Sequence, residues 1–219
     1  MNTGWYMLIV LAVIVSGCAR TEYKPYEEGG KASVNLYRTV NFYVNPALKE
    51  TPPRCVLVLP SQGIGNPGFT SRIEKALVRH LSDKFPQVVS GLARDETVNN
   101  LAFDMAIPVD RRDFARAINC DTVFEYKISK PRHANMLFWS EIKIGLEARL
   151  IRQQDGLELW KARHVARRSD GGLSFSPIGI AVNAYDANAL SSDKDIIDSV
   201  IEDLVRRLMK SMPDMEDTG

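Results

Sequence analysis

The chain has 219 residues, of which 45% are hydrophobic and 25% charged, enough apolar material for one packed core with a short appendage. Its 28 Lys and Arg nearly cancel its 27 Asp and Glu, and a net charge of +1 argues against a dedicated nucleic-acid binder, whose footprint is a strong basic excess. The three cysteines form no CxxC and no Cys/His cluster, so no zinc pattern is present.

Residues 5–15 (Trp-Tyr-Met-Leu-Ile-Val-Leu-Ala-Val-Ile-Val) are an uncharged apolar run followed by the small residues Ser16 and Gly17 and then Cys18. The run is too short for a membrane helix, which takes roughly 20 apolar residues, and Arg20 and Glu22 end it. Val15-Ser16-Gly17-Cys18 resembles the lipobox of a bacterial lipoprotein, although residues 1–7 carry no Lys or Arg as such signals usually do. The resemblance implies removal of residues 1–17 and acylation of Cys18, whose several acyl chains would make a stable membrane anchor. Ala19, where an Asp would signal retention, implies sorting to the outer membrane of a Gram-negative envelope.

Residues 19–33 lack periodicity and hold Pro25 and the Gly29-Gly30 pair, which predicts a flexible tether. Over 34–44 apolar residues alternate at Val34, Leu36, Val40, Phe42 and Val44, predicting an extended edge segment. Cys55-Val56-Leu57-Val58-Leu59 is continuously apolar, the pattern of a strand covered on both faces, and Pro60 ends it. After a loop over 61–68, Phe69, Ile73, Ala76, Leu77, Leu81 and Phe85 keep helical spacing, with Thr70 or Ser71 as expected N-cap. A short strand is expected over 87–90 and an irregular crossover with a short helix over 94–109. Asp110 then caps a helix over 111–119, and residues 121–129 form a third strand.

The second half reads differently. Residues 141–153 alternate strictly, with Ile142, Ile144, Leu146, Ala148 and Leu150 on one face and Glu141, Lys143, Glu147 and Arg149 on the other. Asp155-Gly156 predicts a tight turn into a partner strand over 157–168. Residues 169–192 are rich in Gly, Ser and Ala. Over 193–212, Ile196, Ile197, Val200, Ile201, Leu204, Val205, Leu208 and Met209 form one apolar stripe, the clearest helix in the chain.

The expected fold is therefore α/β: a mixed sheet built from a βαβαβ unit, followed by an antiparallel hairpin and a long C-terminal amphipathic helix. The expected organisation is a signal peptide over 1–17, an acylated cysteine and tether over 18–33, one domain over 34–212 and a disordered tail over 213–219. Val-Leu-Val-Leu-Pro at 56–60, Ala-Arg-Ala-Ile-Asn-Cys-Asp at 115–121 and, most specifically, Leu150 to Trp160 with its Asp-Gly turn resemble the CsgG-like and TolB-N-terminal-like envelope lipoproteins. The resemblance spans residues 55–212, implies an α/β envelope domain, and carries over no catalytic residue. No run beyond the core sheet reads as long enough for the transmembrane hairpins of the curli pore, which need about 9 to 11 residues per strand.

Residues 63–68 spell G-x-G-x-x-G between a strand and a helix, the setting of a dinucleotide loop. Pro67 removes an N–H from the cradle, the next strand ends in Ser90-Gly91 rather than an acid, and an exported chain meets little nucleotide, so a structural turn is the preferred reading. His80, His133 and His164 share no metal spacing and read as a helix, a loop and a strand residue, partly exposed. No G-x-S-x-G elbow surrounds Ser61 or Ser90. No cofactor, metal or catalytic residue is expected.

Cys55 and Cys120 open the first and third strands of a unit whose spatial order would be 2-1-3, so they form either a disulfide or two buried thiols. Arg149, Arg152, Lys161, Arg163, Arg167 and Arg168 gather on the hairpin, read as a cross-strand charge ladder or as a surface for an anionic envelope glycan or lipid headgroup. Phe138 and Trp139, in an apolar loop, and Phe175 and Ile178, in the Gly/Ser segment, are the expected partner surface. Together these readings lead to a lipid-anchored, non-enzymatic envelope protein that assembles with itself or with a secretion or transport machine. A binding module for an anionic polymer ranks second, and an enzyme using residues 63–68 ranks third.

Overall fold

The computed structural model describes residues 21–26, 38–61, 66–136, 139–170 and 194–215, with the backbone alone for 130–142, 168–170 and 194–196. Its elements in chain order are β1 (Glu22–Pro25), β2 (Thr39–Val44), α1 (Ala47–Glu50), β3 (Cys55–Val58), α2 (Pro67–Ser82), β4 (Gln87–Val89), α3 (Gly91–Leu101), α4 (Pro108–Ala117), β5 (Thr122–Met136), β6 (Trp139–Arg152), β7 (Glu158–Asp170) and α5 (Lys194–Met209). All strands join one sheet of order β1-β2-β7-β6-β5-β3-β4. β4, β3 and β5 are parallel, in the 2-1-3 arrangement expected of the βαβαβ unit, and β5-β6-β7-β2 run antiparallel.

The two halves of the sheet are covered differently. On one face α2 and α5 lie side by side, and Ile73, Ala76, Leu77 and Leu81 meet Val200, Ile201, Leu204, Val205 and Leu208 over Val56, Phe124, Leu150 and Trp160. Arg72 pairs with Asp198, and Arg79 and His80 both pair with Glu202, along the outer seam of the two helices. Trp160 is fully buried and stacks on Phe124 at 6.0 Å between ring centres. On the opposite face α4, with Phe114, closes a smaller core of Cys55, Leu57, Leu59, Cys120 and Val123 beneath β3 and β5. Beyond β5 that second face has no helix over it among the described residues. This is why β3 is apolar at every position while β6 and β7 alternate.

The disulfide alternative for the cysteine pair is the one present. Cys55 and Cys120 are joined, with Cα atoms 5.1 Å apart, in the smaller core. α2 starts earlier than its apolar spacing indicates. Asn66 is the N-cap, accepting the Gly68 N–H at 2.8 Å, and Pro67 takes the first helical position, where its missing N–H costs nothing. The crossover over 94–109 contains a complete helix, α3, of which only Arg94 is buried, so it leaves no apolar stripe to read. α4 begins at Pro108 with Ile107 as N-cap. Asp110 sits in its first turn and accepts the Asp104 N–H at 2.9 Å instead of capping.

Four further expectations change. Part of the 18–33 tether is a strand: β1 pairs in parallel with β2, and Tyr23 packs on the core. β2 is consequently an inner strand, not an edge. The loop expected around 129–140 is mostly strand, because β5 runs for 15 residues and β6 for 14, paired out to Met136 and Trp139. His133 therefore lies in β5, although its side chain is outside the described set. At Ser129 the ladder shifts register, and a Cβ on Gly145 opposite would come within 2.9 Å of the Ser129 hydroxyl, so glycine is required where the two strands close up. Of the expected tail, residues 213–215 are ordered against the body, with the Lys84 ammonium donating to the Met212 carbonyl at 2.9 Å and to Asp214 at 2.5 Å. No helix among the described residues is long and apolar enough to cross a membrane.

Candidate functional site

The open face of β5-β6-β7-β2 carries its charges in register. Lys127, Glu147, Arg163 and Asn41 lie across four strands in one row, and Glu125, Arg149, Lys161 and Tyr43 in the next. The spacing of 2 along each strand puts these residues on one side, and the antiparallel register sets opposite signs beside each other in Lys127–Glu147–Arg163 and Glu125–Arg149, whereas Arg149 and Lys161 are like-charged neighbours. Glu125, almost buried, is the anchor of the second row: it accepts Arg149 at 2.6 and 2.8 Å and Arg111 from α4 at 2.8 Å. A crevice of about 220 Å³ opens among Glu125, Lys127, Glu147, Arg149 and Lys161.

Tyr26, just beyond β1, folds over this face. Its hydroxyl donates to Glu147 at 2.8 Å, while the Lys161 ammonium lies 4.3 Å and the Arg163 guanidinium 5.3 Å from its ring centre. Burial, reinforced by the bond to Glu147, pushes the Tyr26 hydroxyl up to about 12, so it holds its proton and acts as a donor. The face thus presents fixed ion pairs, an exposed Tyr43 and a clamped Tyr26. It can match a polar partner by charge pattern, and among these groups none is poised as a nucleophile with an adjacent base.

At the turn between β6 and β7, Asp155 takes the Arg152 guanidinium at 2.7 Å and the Leu157 N–H at 3.1 Å. The Arg152 hydrogen bond, with the backbone one behind it, holds the Asp155 carboxyl down at about 2. Gly156 follows at φ +72, in the left-handed region, as the Asp-Gly signal predicts.

A second polar cluster was not legible in the sequence. Arg94, from α3, is buried and donates to the Val58 carbonyl at 2.7 Å, to Glu74 of α2 at 3.1 Å and to Asp95 at 2.8 Å. Glu74 also accepts the Gly91 N–H at 2.9 Å and the Tyr126 hydroxyl at 3.3 Å. Burial raises the Tyr126 hydroxyl, and the Glu74 charge adds to it. The cluster sits where the parallel strand β3 ends and ties α2, α3 and β5 to it. No spacing announces it, since Glu74 and Arg94 meet only through the crossover. Nor did apolar patterning announce Leu92, Leu101, Ile107 and Val109, which are exposed around α3 and α4.

The expected site residues divide accordingly. Arg149, Lys161 and Arg163 do lie together on the open face, and each has a carboxylate or aromatic partner there. Arg167 lies farther along β7 beside Lys143 of β6, and it too is partnered. Cys18, Phe138, Phe175 and Ile178 lie outside the described residues, as do residues 62–65 of the glycine loop, and Trp139 is described only as the start of β6. His164 is fully buried, not exposed, and bonds through Nδ1 to the Thr39 carbonyl at 3.0 Å. No group of His, Cys, Asp and Glu among the described residues could hold a metal ion.

No protein-family model matches the chain, and no curated protein matches it. Among solved structures it is similar to the PelC dodecamer from Paraburkholderia phytofirmans, at 15% identity and TM-score 0.47 over 78% of this chain and 94% of that one. It is also similar to lipoprotein GNA1162 from Neisseria meningitidis, at 16% identity and TM-score 0.45 over 60% of this chain and 94% of that one. A third is the LpoB C-terminal domain from Salmonella enterica, at 12% identity and TM-score 0.36 over 52% of this chain and 82% of that one. The likeness assigns no residue role, partner or activity to this chain.

Proposed function

We propose that the protein is a lipid-anchored, non-enzymatic component of the bacterial cell envelope, held in the outer membrane by an acylated Cys18, and that it assembles with itself or with a secretion or transport machine. The observation that carries the assembly part is the three-stranded extension formed by β5, β6 and β7. β5 is 15 residues long, yet β3 pairs only with Thr122–Phe124; β7 is 13 residues long, yet β2 pairs only with Trp160–Arg163. Both outer edges of the extension therefore run on without a described partner strand. Unpaired backbone of that length is a template for another chain. The resemblance of residues 15–18 to a lipobox supports the location.

The second reading, an anionic glycan or headgroup bound by Arg149, Lys161, Arg163 and Arg167, ranks lower because Glu125 already engages Arg149 and the Tyr26 ring engages Lys161 and Arg163. Proline scanning tests the first. In an antiparallel ladder, successive N–H groups alternate between the paired neighbour and the open edge. Ala134→Pro and Asn135→Pro should thus differ, one disturbing the pairing with β6 and the other blocking only the edge. The expected result is that native protein extracted from membranes migrates as a large species, and that one of the two variants keeps the wild-type melting temperature but runs as a monomer. A monomeric wild type, or full-size assemblies from both variants, would sink the proposal.

A further inference from the structure

Three peptide units separate Cys18 from Thr21, and at Thr21 the chain is already fixed to the body. The Thr21 hydroxyl accepts Arg207 at 2.7 Å, the Glu22 N–H donates to the Arg38 carbonyl at 2.7 Å, and the Tyr23 hydroxyl donates to the Arg207 carbonyl at 3.2 Å. A fully extended residue spans at most about 3.6 Å, so Cys18 lies within roughly 11 Å of Thr21 whatever path the chain takes. A 15-residue tether would let the domain stand off its anchor. A three-residue one does not.

The surface brought to the anchor in this way is a basic crevice of about 710 Å³, lined by Thr21, Glu22, Tyr23, Arg206, Arg207 and Lys210. Glu22 is paired with Lys24 at 3.2 Å. Asp203 bridges Arg206 at 2.6 Å and Arg207 at 2.7 Å, leaving three cations against one carboxylate. Burial raises the Asp203 carboxyl, but the bonds from Arg207 and Arg206 outweigh it and keep the group ionised. Cations in the last turn of a helix are ordinarily explained by its dipole, and that suffices for Arg207. It serves Arg206 as well, whereas Lys210 lies beyond the helix end and is exposed beside the two arginines.

We propose that this crevice docks on anionic phosphate headgroups of the membrane that holds Cys18, so that the domain lies against the bilayer through β1 and the C-terminal end of α5. The inference rests on the reading that Cys18 is acylated. The occupant follows from reach and from charge: the Thr21 rim of the crevice lies within about 11 Å of an acylated residue, little beyond the Debye length of about 8 Å at physiological salt, so the headgroup charge is only partly screened there.

Footprinting of the full-length protein, purified from membranes with its acyl chains, tests this. The protein is reconstituted into phosphatidylcholine vesicles with and without phosphatidylglycerol and treated with a water-soluble amine reagent. Lys210 labelling should fall about fivefold when the anionic lipid is present, and recover in high salt and in Arg206→Ala, while exposed Lys75 on α2 stays constant. Equal labelling of Lys210 in both vesicles overturns the docking. Protection of Lys210 in detergent without lipid also overturns it, because the crevice then belongs to a second copy. The mass of the Cys18 peptide from the same sample reports acylation separately. An unmodified cysteine with lipid-dependent protection of Lys210 would sink the anchor and keep the crevice.

Discussion

One sheet carries two kinds of strand, and the contrast between its halves explains most of what the molecule exposes. In the parallel half, β4-β3-β5, helices cover both faces, the strand β3 is buried at every position, and polar groups such as Arg94 and Glu74 are admitted only as a closed network. In the antiparallel half, helices cover one face, and the other carries rows of charged side chains, bounded by stretches of β5 and β7 that have no partner strand among the described residues. The first half is built to stay shut. The second is built to be seen, and interaction surfaces belong where backbone and charge remain available.

Three measurements would break or sharpen that contrast. The largest effect is expected from the parallel half's covalent tie. Removing the Cys55–Cys120 bridge, whose partners are 65 residues apart, should cost about 4 kcal/mol by loop-closure entropy, read as a fall in the urea midpoint of Cys55→Ser/Cys120→Ser. A midpoint within experimental error of the wild type would show that the parallel half does not depend on it. Next comes a matched pair of arginines. Arg94→Met breaks a buried network and should cost about 3 kcal/mol, while Arg149→Met removes a half-exposed partner of Glu125, which keeps Arg111, and should cost under about 1 kcal/mol. Equal losses would erase the distinction between the halves.

The smallest effect concerns the covered face of the antiparallel half, where His164 is buried. Burial lowers its pKa, the Thr39 carbonyl opposes that shift, and Arg207 adds to it. A base depressed in the folded state binds fewer protons there than in the unfolded chain, so stability is full above the ordinary histidine value and declines as pH falls below about 6.5. The melting temperature should drop between about pH 7 and pH 5, and His164→Gln should flatten that drop. An unchanged slope would place the acid sensitivity elsewhere.

Legibility followed the same division. The alternation of Ile144, Leu146, Ala148 and Leu150, the Asp155-Gly156 turn and the apolar stripe of α5 are periodic signals, and each states its own burial. The continuous run at 55–59 announced a strand covered twice. What stayed hidden depends on contacts distant in sequence. β1 holds its place because Tyr23 meets Arg207 across 184 positions, and nothing in Glu-Tyr-Lys-Pro beside Pro25 and two glycines says so. The far part of β5, with Lys130, Pro131 and Arg132 in it, lacks alternation and is strand because β6 pairs with it. α3 has no stripe because its single buried side chain is Arg94. The open-face pairings were legible in part, as a charge ladder, whereas the clamp by Tyr26 required the edge position of β1.

The seating of β1 also couples the two ends of the chain. Among the described residues it is held by β2 at the sheet edge and by the last helix of the chain, joined through Thr21, Tyr23 and Arg207. β1 therefore completes its contacts only when both β2 and the end of the last helix are in place, so a lesion at either end of the chain loosens the same edge of the sheet.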